Sequence, residues 1–332
     1  MIIISKTPVR ISFFGGGTDY PAFYLRKQGI VFGTSIDKYT YISINSISEF
    51  FDHKIRIAYS KTELVKTLDE IQHPSIRECL RHMRIFMPLD IHIFSDLPAK
   101  TGLGSSSSFT VGFLNSLYAL QGRRAPRQKL SEEACFVEQQ LIRENVGSQD
   151  PFHAAFGGMN IITFDSSGIS IRPVVISQNK KAILEDHMML FYTSMTRFAN
   201  EVVKEQIDKT SAKANDDYLD RMYEIVFEAE KMVQECDEKD LPKKFGELMD
   251  ESWQLKKQLS SKISTQEIDL AYEKARKAGA YGGKLCGAGS GGFLLLMVPP
   301  EKQDNVRHAL FPYLEVKFRF ENEGSSVIYM RD

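Results

Sequence analysis

Apolar residues in the first hundred positions come in short β-branched and aromatic runs, not at helical spacing. Residues 2–4, 9–13, 31–36, 39–47, 54–59 and 89–94 are predicted as strands. Between the last two, residues 62–83 are polar with helical spacing. Residues 105–120 carry apolar side chains at 109, 113, 114, 117 and 120, a helical period that Gly122 closes. Residues 131–144 open on a Ser N-cap with two acidic residues in the first turn. Gly157 and Gly158 lead into a strand over 159–164. The composition shifts near 165–168, and beyond Ile176 the chain becomes helical and highly charged. Residues 196–210, 218–235, 241–259 and 265–278 read as amphipathic helices, and strands return at 293–298, 313–320 and 326–330. The pattern predicts two α+β domains with a boundary between 165 and 180, set at 1–170 and 171–332.

Composition narrows the function classes. Of 332 residues, 42 are Lys or Arg and 43 are Asp or Glu, a net charge of -1. The basic excess of a nucleic-acid binder is missing, although a local basic pocket for a small anion is compatible with that balance. Four scattered cysteines without a CxxC pair suit a reducing cytoplasm and encode no zinc knuckle. The apolar N-terminal run is too short for a signal-peptide core. The longest apolar run, 293–298, is far below the ~20 residues of a membrane helix. A soluble, cytoplasmic protein is expected.

Three segments concentrate glycine and small polar residues: FGGGTDYP at 14–21, PAKTGLGSSSS at 98–108 and CGAGSGG at 286–292. In the second, Gly102-Leu103-Gly104 runs into a helix that starts near Ser105. Unpaired N–H groups at a helix start favour an anion, and glycine lets a phosphate approach the backbone. A capped helix after a flexible turn accounts for the same residues. The string is no Walker A loop, and Ser107 stands where a dinucleotide fingerprint needs its third glycine. The other two segments read equally as tight turns. Neither an HxxxH metal pair nor a GxSxG elbow occurs.

Among charged residues, Arg10 lies in mid-strand opposite Val9, Ile11 and Phe13, the place of a solvated strand face. Glu138 shares a helix face with Ala134, Leu141 and Ile142. A carboxylate in an apolar stripe must be paired with a base or hold a metal. Asp150 before Pro151 reads as an N-cap with Pro at the first helical position.

In this order the segments resemble the GHMP small-molecule kinases. PVRISFFGGGTD at 8–19 is similar to the family's N-terminal motif, and PAKTGLGSSS at 98–107 to its phosphate loop. GAGSGG at 287–292 is similar to its C-terminal glycine motif, and VGSQDPFHAAFGG at 146–158 to the segment with the catalytic Asp. GGGTDYP and YTSMTR at 192–197 are most similar to the branch acting on D-glycero-D-manno-heptose 7-phosphate. L-fucose kinases are the nearest alternative, and a non-catalytic sugar and ATP sensor of the same fold is another. The resemblance implies an α+β fold with an N-terminal domain like ribosomal protein S5 domain 2 and a ferredoxin-like C-terminal domain. It implies transfer of phosphate from ATP to the anomeric hydroxyl of the sugar phosphate, in the supply of nucleotide-activated heptose for bacterial surface polysaccharide.

The roles follow from that resemblance. Gly102, Leu103, Gly104, Ser105, Ser106 and Ser107 would hold the ATP phosphates, and Ser106 and Glu138 would ligate Mg²⁺. Asp150 would be the base, oriented and kept ionised by Arg10. Gly17, Thr18, Asp19, Gly289, Ser290 and Arg197 would contact the substrate. Arg197 is the first candidate for a clamp on the sugar phosphate, followed by Lys100 and Arg26. The expected partners are ATP and a small sugar phosphate, with no nucleic acid and no membrane, and a homodimer as the assembly to consider.

Overall fold

The computed structural model describes residues 1–48, 50–99, 101–193 and 199–331. Among them two sheets form. The first contains β1 (Ile2–Phe14), β2 (Gly29–Ser46), β3 (Ile55–Ala58), β4 (Thr62–Val65), β5 (Leu89–Ser95), β6 (Met159–Asp165) and β7 (Gly168–Pro173). The second contains β8 (Met188–Tyr192), β9 (Gly282–Leu285), β10 (Phe293–Met297) and β11 (Leu314–Glu315), in the order β11-β8-β10-β9. Then β12 (Phe320–Glu321) and β13 (Ser326–Arg331) return to the first sheet, whose main path is β13-β1-β2-β5-β3-β4.

The helices are α1 (Pro21–Tyr24), α2 (Pro74–His82), α3 (Ser105–Leu120), α4 (Arg127–Phe136), α5 (Gln149–Phe156) and α6 (Gln178–His187). They continue with α7 (Ala199–Ser211), α8 (Asp216–Glu235), α9 (Leu241–Gln258), α10 (Gln266–Lys277) and α11 (Gln303–Leu310). No helix among the described residues is long and apolar enough to cross a membrane.

The centre of the molecule is β1. Its first half alternates between buried and half-buried positions, and from Thr7 onward every residue is buried. The change occurs because this end runs between α3 and α5 on one side and α8 and α9 on the other. The two predicted strands at 2–4 and 9–13 are therefore one, and Pro8 sits at a register shift against β2, where a missing N–H is tolerated. The predicted strands at 31–36 and 39–47 likewise merge into β2.

One apolar core lies between this sheet and α2–α4, around Ile42, Ile57, Ile91, Leu80, Phe113 and Leu117. A second lies on the other face, where Phe245 of α9 packs against Phe13 and Phe14 at ring distances of 5.4 and 5.0 Å. Truncation of a buried aromatic like Phe245 costs about 3–5 kcal/mol. A third, around Trp253, Leu294, Leu296 and Ile268, fills the space beneath the second sheet.

Four expectations change. Residues 62–83 divide into β4, a short turn and α2, because Pro74 starts the helix and His73 caps it, accepting from the Ile76 N–H. Ser131 is inside α4, not its cap, and its hydroxyl donates back to the Arg127 carbonyl at 2.9 Å. Residues 313–320 are not one strand, since β11 pairs with β8 and β12 with β2. The expected division at 170 falls inside β7, and 320–331 complete the first sheet instead of the second.

Candidate active site

The phosphate-loop segment meets the end of β1. The Arg10 N–H donates to the Leu103 carbonyl at 2.9 Å, and the Leu103 side chain is buried in the second core. Gly104 is the N-cap of α3 in left-handed conformation, φ 76°, and no side chain caps the helix. Its first helical bond is from Ser108 N–H to the Gly104 carbonyl. The N–H groups of Ser105, Ser106 and Ser107 thus form the open end of a four-turn helix, suited to an anion. The serines divide the work. Ser108 is structural, donating to the Pro8 carbonyl at 2.7 Å, whereas Ser106 is exposed and Ser107 buried.

Arg10 is not on a solvated face. Its Nε and Nη2 donate to Asp150 Oδ1 and Oδ2 at 2.7 and 2.8 Å, and its Nη1 donates to the Gly102 carbonyl at 2.7 Å. Burial works against its charge, but the Asp150 charge and hydrogen bonds outweigh burial and hold the guanidinium above its usual value. Asp150 lies in the first turn of α5, one residue inside the helix, and Ser148 takes the N-cap place expected for Asp150. A Cβ at Gly104 would stand 3.2 Å from Asp150 Oδ2, so the carboxylate looks onto the phosphate loop.

Asp19 is buried beside this pair. It accepts from the Gly17 N–H and from Gln149 Nε2, both at 2.9 Å. Burial pushes its carboxyl up, the two hydrogen bonds oppose that, and the nearby Asp150 charge adds to it.

Glu138 is 1% exposed, on a π-helical turn, Val137–Leu141, that continues α4. Ser107 Oγ donates to its Oε2 at 2.9 Å, while Oε1 has no partner among the described residues. No Lys or Arg among the described residues pairs with it. Burial pushes its carboxyl up to about 8. An unpaired, buried carboxylate oxygen beside a hydroxyl suits Mg²⁺, which usually takes one or two carboxylates and completes its shell with phosphate and water. The described hydrogen bonds join Glu138 to Ser107.

The C-terminal glycine segment reaches the phosphate loop by backbone contact. A Cβ at Gly102 would come within 2.4 Å of the Cys286 carbonyl, and one at Gly287 within 2.3 Å of Gly102 Cα. Only glycine at both places permits this approach. Gly289 packs on the Ile263 backbone, and Ser290 bonds to the Ile263 and Lys262 carbonyls.

Two buried lysines complete the cluster, and sequence reasoning missed both. Lys256 of α9 donates to the Gly287 carbonyl, and Lys284 of β9 donates to the Ser12 and Phe13 carbonyls at 2.8 and 3.0 Å. Burial lowers them to about 8 and about 7. Lys256 shares the buried face of α9 with Phe245, Met249 and Trp253, so the stripe argument applied to Glu138 would have found it. No comparable signal marks Lys284 or Gln149.

Several residues expected at the substrate also have partners within the chain. The Thr18 hydroxyl is fully buried and donates to the Gly15 and Ile30 carbonyls. Gly17 holds Asp19, and Ser290 holds the 260–263 loop. Arg26 pairs with both carboxylate oxygens of Asp216. Arg197 and Lys100 lie outside the described residues.

Residues 63–158 match the GHMP kinases N terminal domain, and residues 232–313 match the GHMP kinases C terminal. Over 335 residues, 97% of each chain, the sequence is 27% identical to the D-glycero-alpha-D-manno-heptose 7-phosphate kinase of Campylobacter jejuni. It is 24% identical over 344 residues to the bifunctional fucokinase/GDP-fucose pyrophosphorylase of Arabidopsis thaliana, covering 96% of this chain and 32% of that protein. The fold is similar to the crystal structure of a D-glycero-D-manno-heptose 1-phosphate kinase from Bacteroides thetaiotaomicron, with a TM-score of 0.79, 21% identity and full coverage of both chains.

Proposed function

We propose, from the premise that this chain belongs to the GHMP kinases and is an ATP-dependent sugar kinase, that its acceptor is D-glycero-D-manno-heptose 7-phosphate, phosphorylated on the anomeric hydroxyl to the 1,7-bisphosphate. The observation that carries the chemistry is Asp150, held by both oxygens on Arg10 and facing the start of α3. Phosphoryl transfer depends on positioning and on neutralising charge, so each part has a definite task. The N–H groups of Ser105, Ser106 and Ser107 bind the phosphate chain of ATP. Asp150 accepts the proton of the anomeric hydroxyl as that oxygen bonds to the γ-phosphorus of ATP and the bond from that phosphorus to the β–γ bridging oxygen breaks, releasing ADP. Arg10 fixes the direction of the carboxylate through its two hydrogen bonds. Asp19 accepts from a neighbouring sugar hydroxyl. Glu138, with Ser106 or Ser107, would hold Mg²⁺, which when bound neutralises phosphate charge. The heptose assignment is supported by the similarity to the Campylobacter jejuni heptose 7-phosphate kinase across the whole chain.

A second reading, an L-fucose 1-kinase, is favoured by two observations. The Arabidopsis thaliana fucokinase relative aligns with 96% of this chain, and Arg26, one candidate for the phosphate clamp, is already paired with Asp216. Release of ADP measured over a panel separates the two. Heptose 7-phosphate should exceed unphosphorylated heptose, L-fucose and galactose in kcat/KM by about tenfold or more, as a site built for a polar group rejects analogues that lack it. Preference for L-fucose would overturn the heptose reading in favour of the second.

A further inference from the structure

We propose that Lys284 is a positioning residue for the acceptor sugar: it fixes the bulged end of β1 and through it the placement of Asp19. The proposal rests on Asp19 holding the acceptor, part of the reading above.

The pairing of β1 with β2 shifts register between Ser12 and Phe14, leaving Phe13 opposite no residue of β2. The other edge of β1 is covered by β13 only over Ile2–Lys6. Successive carbonyls of a regular strand point to opposite edges, yet those of Ser12 and Phe13 both accept from one nitrogen, Lys284 Nζ. Lys284 thus serves as a hydrogen-bonding partner at the bulge of β1, where β2 pairs Ser12 and Phe14 but skips Phe13 and β13 does not reach. It does so from β9 in the other sheet, with its side chain buried along its length. Among the described residues it has no carboxylate within ion-pair distance, so the two carbonyls are what its ammonium is aimed at.

Residues 15–19 follow directly. That loop is tied within itself, by Thr18 to the Gly15 carbonyl and by Gly17 to the Asp19 carboxylate, and outward to Ile30 of β2 and to Ser148 and Gln149 at the start of α5. Its start continues from the β1 end, so a shift of that end pulls Asp19 against its anchors on α5. Lys284, by setting the β1 end, is thus one of the groups that set Asp19. A merely structural lysine would be felt equally at the sugar and nucleotide sites.

The test is Lys284→Met, which keeps most of the stem and removes the donors, assayed with the panel sugar of highest kcat/KM. The result therefore does not depend on that sugar being the heptose. The sugar KM should rise about 10- to 100-fold, the scale of a misplaced binding group. The ATP KM should stay within about twofold, because uniform loss of binding at one site leaves the other alone. Combined with Asp19→Asn, Lys284→Met should add little to the sugar KM, since both changes act on one contact. Should Lys284→Met fail to fold, Lys284→Gln, which retains an amide donor, takes its place with the same readouts. An unchanged sugar KM, an equal rise in both KM values, or full additivity with Asp19→Asn would each overturn the proposal.

Discussion

Asp150 and Glu138 both stand close to the start of α3, and the fold treats them in opposite ways. Asp150 has a quarter of its side chain exposed and a guanidinium on both oxygens. Glu138 is sealed, with the Thr110 and Ser107 hydroxyls opposing the effect of burial and with no hydrogen-bond partner for Oε1 among the described residues. The first carboxylate has a cationic partner within the protein, as the proposed base requires. The second has none among the described residues, as the proposed cation ligand requires. A carboxylate's burial alone does not say which role it has; the partner does.

Three experiments would break that comparison. The largest effect is expected from Asp150→Asn, which keeps the shape and removes the base. Turnover should fall by about 10²–10⁴-fold, the usual worth of a general base, with ATP affinity unchanged. Near wild-type turnover would remove Asp150 from the base role. Next comes Arg10→Met. Deleting the buried partner of this half-buried pair leaves a carboxylate that water reaches in part, so the cost should fall at or below the low end of the buried-pair range, about 3 kcal/mol of stability, readable as a lower urea midpoint. If the midpoint does not move, Asp150 does not depend on Arg10.

The smallest is a pH effect at Glu138 in metal-free protein. Its folded value, about 8, lies above the 4.5 of an ordinary glutamate. Between those values the folded state holds a proton that the unfolded chain releases. The favourable contribution is complete below about pH 4.5 and is lost as pH rises through about 8. Urea unfolding should therefore show wild-type stability declining over that window, with Glu138→Gln declining less. At pH 8, Mg²⁺ should stabilise wild type more than Glu138→Gln. Parallel profiles, or equal stabilisation by Mg²⁺, would show that Glu138 is not the residue left for a cation.

Much of this arrangement was legible in the sequence. By spacing the glycine strings read equally as tight turns, and it is their order, through the family resemblance, that singles them out as neighbours in one site; the close backbone approach of Gly102 and Gly287 accords with that. Glu138 was legible too, since a carboxylate breaks an apolar stripe visibly. Arg10 was not. Alternation along a strand says which residues share a face, but not that α3, α5, α8 and α9 cover both faces of β1 from Thr7 onward. Lys284 was hidden for a related reason: its partners are two carbonyls some 270 positions away in the chain, and backbone acceptors carry no sequence signature. The serines of the loop show a finer limit. Spacing identified the helix start but could not say that Ser107 faces Glu138 and Ser106 faces outward, which depends on the π-helical turn after α4.

The return of β13 to β1 affects how the protein is made. The edge of β1 from Ile2 to Lys6 is hydrogen-bonded by Ser326–Arg331, so on a ribosome it waits, unpaired, while all of the second sheet is synthesised. During that interval the chain carries an open strand edge beside half-formed cores, a state prone to pairing with a neighbour. Codon choice, temperature and chaperone supply during expression should then govern the yield of this enzyme more strongly than the stability of its finished fold.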